Sequence, residues 1–309
     1  MQLIQQLDDM PALARGGAVA IGNFDGLHLG HAEILSCLVR RARQLGGPAV
    51  VFSFDPHPVE LLRPDDNLLR LTDLDRKHQL VADLGVDVMV VYPTDLALLR
   101  LTAEDFFQQL IVQLLAARAI VEGPDFCFGR DRAGTIQTLE QLCQQSGVEL
   151  EIVPALEREG DWVSSSRIRA LIADGDVAAA NRLLTAPYRL SGVVQSGAGR
   201  GASLGFPTAN LGQVSTMLPA AGVYAGRGLV GADCWPAAVN IGGNPTFDEP
   251  DAKLEVHLVG FEGGLYGEQI QLELLERVRD IEEFESVDAL VAQIQSDIQR
   301  VCQRVAAGN

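Results

Sequence analysis

"AVAIGNFDGLHLGH", residues 18–31, opens as an apolar run, turns through a glycine-rich loop and closes on two histidines three positions apart. Ala18–Ile21 reads as a short buried strand, and the residues after His31 read as a helix. Ile34, Leu35, Leu38, Ala42 and Leu45 recur at helical spacing, and Gly46-Gly47 supplies a natural stop. A loop between strand and helix is where open parallel sheets bind ligands, at the carboxyl ends of the strands. The unpaired amides and the dipole of the helix favour anions there. Gly26 and Gly30 let a phosphate approach the backbone, while His28 and His31 add directed donors. As metal ligands the two histidines lack nearby cysteine or glutamate partners of the usual kind. As packing residues they would not need a glycine-rich turn. Phosphate chemistry is the favoured reading.

The same grammar runs on through the first half. "AVVFSF" (49–54) reads as a buried strand cut off by Asp55-Pro56-His57-Pro58. Thr72 reads as the cap of a helix reaching Leu84, ahead of the strand "VDVMVVY" (86–92). Thr102 caps a further helix with Phe106, Phe107, Leu110, Ile111 and Leu114 on one face, and strands come after it at 119–121 and 148–153. Continuous apolar strands alternating with helices predict an α/β unit, a parallel sheet covered on both faces.

After "LLTAPY" (183–188) glycines and prolines become dense, and short β-rich runs succeed one another: "YRLSGVV", "GVYAGRGLV", "AAVNIG", "LEVHLVGF" and "QIQLELLERV". Such spacing predicts an antiparallel barrel or sandwich. Ser286 then caps a terminal helix with the face Leu290, Ile294, Ile298 and Val301. The domain boundary is placed near Ala186, giving domains 1–185 and 186–309.

With 309 residues, 47% of them hydrophobic and 21% charged, the chain can fill two ordinary cores. No apolar window is long enough for a membrane span, and the opening "MQLIQQLDDM" lacks the pattern of a secretory leader. Five scattered cysteines without CxxC spacing argue against a disulfide framework or structural zinc and point to a reducing cytoplasm. A net charge of −17 repels polyanions, so nucleic acid is not an expected partner. Homo-oligomerisation stays open.

His28-Leu29-Gly30-His31 matches the HxGH signature of nucleotidylyltransferases, and residues 22–31 resemble its form in prokaryotic FAD synthetases. "VSSSRIR" (163–169) resembles the second signature of that superfamily, and "GPDFCFGRDRAG" (123–134) resembles the loop between them. The resemblance implies a Rossmann-like nucleotidyltransferase domain that transfers AMP from ATP to FMN. It implies that His28 and His31 are catalytic, and that Gly22, Asn23, Phe24, Asp25, Asp125, Ser164, Ser165 and Arg167 join them in holding ATP. Pro56, Pro58 and Phe128 are implied on the flavin side.

"GRGASLGFPTANL" (199–211) resembles the PTAN segment of riboflavin kinases. Residues two apart on an extended segment point the same way, which puts Thr208 and Asn210 on one side. Their oxygens are hard donors suited to Mg²⁺ bridging ATP oxygens. "GVYAG" (222–226), "NIGGNPTF" (240–247), "LEVHLVGFEGGLYG" (254–267) and "VRDIEEFES" (278–286) occur in the riboflavin kinase order. The resemblance implies a six-stranded barrel with a terminal helix, in which Gly199, Arg200, Gly205, Thr208 and Asn210 hold ATP. Thr208 and Asn210 would bind the metal, Glu255 would be the catalytic base and Arg279 would lie on the flavin side. The chain departs from the family pattern at Ala202, Asn244, Asp125 and Gly260.

The resemblance implies a bifunctional enzyme of FAD biosynthesis, requiring Mg²⁺ and taking riboflavin, FMN and ATP. The alternatives are a single-activity adenylyltransferase with a silent kinase module, or a non-catalytic flavin-binding regulator.

Overall fold

Every residue of Ala18–Ile21 is buried, as a strand covered on both faces must be. The computed structural model describes residues 1–309 except 6, 8–9, 64–68, 198–199, 245–248 and 308–309, together with the side chains of 200, 244 and 249–252. The chain divides into two compact units, Met1–Leu69 with Leu74–Ser164, and Arg70–Asp73 with Ser165–Asn309.

The strands of the first unit's main sheet are β1 (Gln2–Ile4), β2 (Ala18–Ile21), β3 (Ala49–Asp55), β4 (Val88–Pro93), β5 (Ala119–Glu122) and β6 (Glu149–Ile152). They form a six-stranded sheet in the order β1-β4-β3-β2-β5-β6, with every pair parallel. From β2 the chain first moves outward to β3 and β4, then returns to β5 and β6. The crevice between β2 and β5 is thus the topological switch point, where such sheets bind ligands. Helices α1 (Leu29–Leu45), α2 (Pro58–Leu62), α3 (Leu74–Asp83), α4 (Leu96–Leu99), α5 (Ala103–Phe106) and α6 (Ile136–Ser146) connect them. A small hairpin, β7 (Glu157–Arg158) and β8 (Asp161–Trp162), precedes the end of the unit.

The expected local signals operate. Gly46 ends α1 with φ 64°, and the Thr102 hydroxyl accepts from Asp105 N–H at 3.1 Å. Past α5 the helix widens to π geometry over Phe107–Leu114, which the 3.6-residue pattern does not distinguish. β1 goes beyond the sequence reading: its three residues carry too little pattern, and it gains its partner, β4, from far along the chain. The helix expected from Thr72 begins at Leu74.

In the second unit α7 (Ser165–Ala173) and α8 (Val177–Leu183) precede β9 (Arg189–Gln195), α9 (Arg200–Ser203), β10 (Ala209–Gly212), β11 (Gly222–Val230), β12 (Asp233–Asn244), β13 (Glu249–Leu258), β14 (Gln269–Arg279) and α10 (Val287–Ala307). The strands close an antiparallel six-stranded barrel in the order β10-β13-β12-β11-β14-β9. Alternation decides what faces inward: Leu254, Val256 and Leu258 are buried, whereas Glu255 and His257 are not. Ser286 caps α10, its Oγ accepting from Ala289 N–H at 3.2 Å, and Val301 and Val305 pack with Val223, Ala225 and Val278.

Candidate active sites

The loop from β2 to α1 is tightly held. Phe24 (φ 46°) and Leu27 (φ 38°) both adopt left-handed backbone, which costs about 1–3 kcal/mol for each such residue. Both side chains are buried, Leu27 completely, and burying such a side chain returns about 1.5–3 kcal/mol. The sequence therefore trades local strain for a fixed loop shape. His28 is the N-cap of α1, its Nδ1 accepting from His31 N–H at 3.2 Å. In the neutral ring the proton then sits on Nε2, so His28 has a donor to offer.

The two imidazoles stack, with centroids 3.6 Å apart and planes inclined by 17°, and the Phe24 ring meets His31 edge-on at 5.2 Å. The glycine between the histidines leaves room for this stack. A Cβ at Gly30 would stand 3.2 Å from His28 Nδ1 and Cε1. Burial pushes the His28 pKa down to about 4, against the pull of Asp125 and Asp25. Burial also holds His31 well below its ordinary value, with His28 and Lys77 acting in the same direction. Both rings are thus neutral at pH 7, and His31 Nδ1 and Asn23 Oδ1 are buried without a hydrogen-bond partner among the described residues. These are desolvated, donor-bearing side chains, suited to charge that arrives with a ligand.

The structure brings Gly22, Asn23, Phe24, Asp25, His28, His31 and Asp125 together at this end of the sheet. Pro56 and Pro58 lie where β3 passes into α2, Asp55–Pro56 being cis and His57 capping α2. Phe128 is 5% exposed and packs with Phe106 and Phe126 in the core. Ser164 closes the first unit, while Ser165 and Arg167 lie on α7 in the second.

On the barrel, Asn210 of β10 stands directly opposite Glu255 of β13, and Glu255 in turn stands opposite Asn240 of β12. Gln195 of β9 extends the row on the far side of Asn210. Facing residues of an antiparallel ladder share one face, so these polar groups form a band across the outside of the barrel. Thr208 lies two residues before Asn210, and Gly205 has φ 89°. The glycine loop ahead of them is a close cradle. A Cβ at Gly201 would collide with Phe206 O and come within 3.0 Å of Thr208 Oγ1, and one at Gly197 would collide with the Asn210 amide. Among the described residues no group of His, Cys, Asp and Glu could hold a metal by itself. Two neutral side-chain oxygens fit a magnesium ion that takes most of its ligands from phosphates and water.

Arg279 lies at the β14 end of this band, opposite Val223. Its guanidinium reaches Asp297 of α10 through Nε and a terminal nitrogen, both at 2.9 Å, and lies 5.5 Å from the Phe284 ring centre. Gly199 lies outside the described residues, as do the side chains of Arg200 and Asn244 and residues 245–248. Gly260, where an aspartate is usual, has φ 81°, a conformation glycine takes without strain. Sequence reading misses His257, whose Nδ1 donates to Pro207 O at 2.8 Å at the head of the PTAN segment. Its signal is alternation, since it falls two residues after Glu255 and shares its face.

The FAD synthetase family model matches residues 10–167, and the riboflavin kinase family model matches residues 184–305. The bifunctional riboflavin kinase/FMN adenylyltransferase of Escherichia coli K12 is 36% identical over 299 residues, covering 96% of both chains. This chain belongs to that bifunctional family. The Bacillus subtilis 168 family member is 34% identical and covers 91% of this chain and 90% of its own. A crystal structure titled macrolide-efflux protein, from Streptococcus pneumoniae, superposes with a TM-score of 0.86 at 33% identity, covering 96% of this chain and 97% of that one. That title describes the other protein. Among the described residues here no helix is long and apolar enough to cross a membrane.

Proposed function

We infer that this chain is a bifunctional riboflavin kinase and FMN adenylyltransferase. It phosphorylates riboflavin with ATP to give FMN and ADP, then adenylylates FMN with a second ATP to give FAD and pyrophosphate. The single observation that carries this is the presence of both families' domains in one chain, matched over nearly its whole length. We assign adenylyl transfer to residues 1–185 and phosphoryl transfer to residues 186–309.

In adenylyl transfer a phosphate oxygen of FMN attacks the α-phosphorus of ATP, and the bond to the bridging oxygen of pyrophosphate breaks. No side chain forms a covalent bond, so rate comes from orientation and from donors matched to the charge of the five-coordinate transition state. The neutral His28, with its proton on Nε2, and the adjacent His31 supply such donors. Asn23, Asp25, Asp125 and Ser164 belong to the proposed nucleotide site, with Gly22 and Phe24 shaping it and Pro56, Pro58 and Phe128 on its flavin side; the family resemblance assigns Ser165 and Arg167 of α7 to ATP as well.

In phosphoryl transfer the riboflavin 5′-hydroxyl attacks the γ-phosphorus and Glu255 accepts the hydroxyl proton as ADP leaves. The position of Glu255 opposite Asn210 in the ladder supports this role. Thr208 and Asn210 would hold Mg²⁺, which when bound neutralises phosphate charge. Gly199, Arg200 and Gly205 belong to the proposed phosphate loop. Arg279 is engaged with Asp297, and we propose that it shapes the flavin end of the band. All five cysteines are free, which supports a reducing, cytoplasmic setting.

The test is incubation with riboflavin, ATP and Mg²⁺, followed by chromatographic separation of flavins. FMN and FAD should both form. FAD from supplied FMN alone would mean a silent kinase, and neither product would mean a non-catalytic protein.

A further inference from the structure

The mechanism leaves a buried acid of the first unit unused. Glu122 ends β5 and is 3% exposed. β2 and β5 pair only at Ala18↔Ala119 and Val19↔Ile120. Gly22 N–H continues the other ladder and donates to Phe52 O of β3 at 3.0 Å, so that Ile21 N–H is the last β2 donor facing β5. Ile21 N–H donates to Glu122 Oε1 at 2.6 Å, and Gly123 N–H bonds the same carboxyl group. A side-chain oxygen has therefore taken the place of a strand carbonyl. It stands between the two strand ends at the switch point of the sheet, immediately before the loop that carries His28.

We propose that Glu122 is a positioning residue for adenylyl transfer, holding β2 and β5 apart through Ile21 N–H and so fixing where the loop of residues 22–28 leaves the sheet. The proposal rests on reading the first unit as an adenylyltransferase.

Burial disfavours the charged form of this acid, which suits a site for a polyanion. Burial drives it well above the usual carboxylate range and Asp125 adds to the rise, while the Ile21 and Gly123 amides oppose it. The loop and the start of α1 bring Asp25, His28 and His31 to this end of the sheet. The register partner of Glu122 on β6 is Ile152, and α1 presents Ile34 to Gly123. The arginines of α1 next to β6, Arg40 and Arg41, are paired with Glu151 and Glu149. An amide could make the same bond to Ile21 N–H without ever ionising. An aliphatic side chain could not make it at all, leaving a buried N–H unsatisfied.

The test compares Glu122→Leu and Glu122→Gln in the full-length protein, with riboflavin phosphorylation by the same molecules as internal control. Glu122→Leu should lower kcat for FMN adenylylation by about tenfold to a hundredfold, as misplacement of reacting groups does, with kinase activity unchanged. Glu122→Gln should recover most of that loss. A leucine variant with parental kcat, or a glutamine variant as slow as leucine, overturns the proposal. Should leucine abolish both activities through misfolding, the glutamine variant decides: adenylylation within about threefold of the parent supports the proposal, and a loss of about tenfold or more with kinase activity intact overturns it. A parent that never forms FAD refutes the functional reading instead.

Discussion

His28→Asn separates the two jobs given to His28. As N-cap, its Nδ1 takes the His31 N–H at 3.2 Å; as the proposed catalytic donor, its Nε2–H would face charge that develops in the transition state. Asparagine is among the best N-caps, so its Oδ1 keeps the first job, whereas alanine would forfeit about 1 kcal/mol of stability. The second job is lost. Removing one preorganised donor to a developing oxyanion costs about 2.7–4 kcal/mol of barrier, or about 10²–10³ in kcat. The assay supplies FMN and ATP and follows FAD, while a parallel reaction with riboflavin follows the kinase and calorimetry follows folding. The expected result is FAD formation slowed at least about a hundredfold, with the kinase rate unchanged and the melting temperature close to the parent's. FAD formation within about threefold of the parent would refute the reasoning, because that corresponds to less than about 1 kcal/mol at the transition state.

Three further outcomes are expected. Glu255→Gln should slow riboflavin phosphorylation by about 10²–10⁴-fold while sparing adenylylation of supplied FMN; a parental kinase rate would place the base elsewhere. His28 titrates near 4 in the fold against its ordinary 6.5, so the unfolded chain binds more protons between those values. Its contribution to stability is complete above 6.5 and is lost as pH falls toward 4. The unfolding free energy of the parent minus that of His28→Asn should fall by up to about 3 kcal/mol over that window, and a flat difference in urea titrations would contradict the burial argument. Finally, fragments 165–309 and 186–309 should both phosphorylate riboflavin, the longer one being the more stable. Asn181 bonds Leu274 O and Tyr188 N–H, each at 2.8 Å, and Leu183 is buried, which by itself is worth about 2 kcal/mol. Equal stabilities would show that α7 and α8 contribute nothing to the second unit.

Much of the architecture is legible in the sequence because local chemistry and tertiary structure agree. Strand β2, the capping of α5 by Thr102 and of α10 by Ser286, and the stop at Gly46 all come from residues a few positions apart. Features set by distant partners are not legible. β1 exists because β4 offers it an edge, and Glu122 matters because Ile21, 101 positions away, turns its N–H toward it. Arg279 can be read as a cation on the flavin side, yet its partner is Asp297, an acid on the packed face of a helix that periodicity would assign to apolar residues. The histidine pair is visible as a motif. Its neutral charge state is not, because that state depends on burial.

The central claim is that one chain moves two different phosphorus atoms of ATP onto flavin. The most direct measurement supplies riboflavin, Mg²⁺ and ATP labelled either at the γ- or at the α-phosphorus, and tracks label in the separated flavins over time. The account predicts γ-label in FMN first and then in FAD, α-label in FAD only, and pyrophosphate released in step with FAD. Label from the α-phosphorus that never reaches a flavin, or FMN that never acquires γ-label, would contradict it.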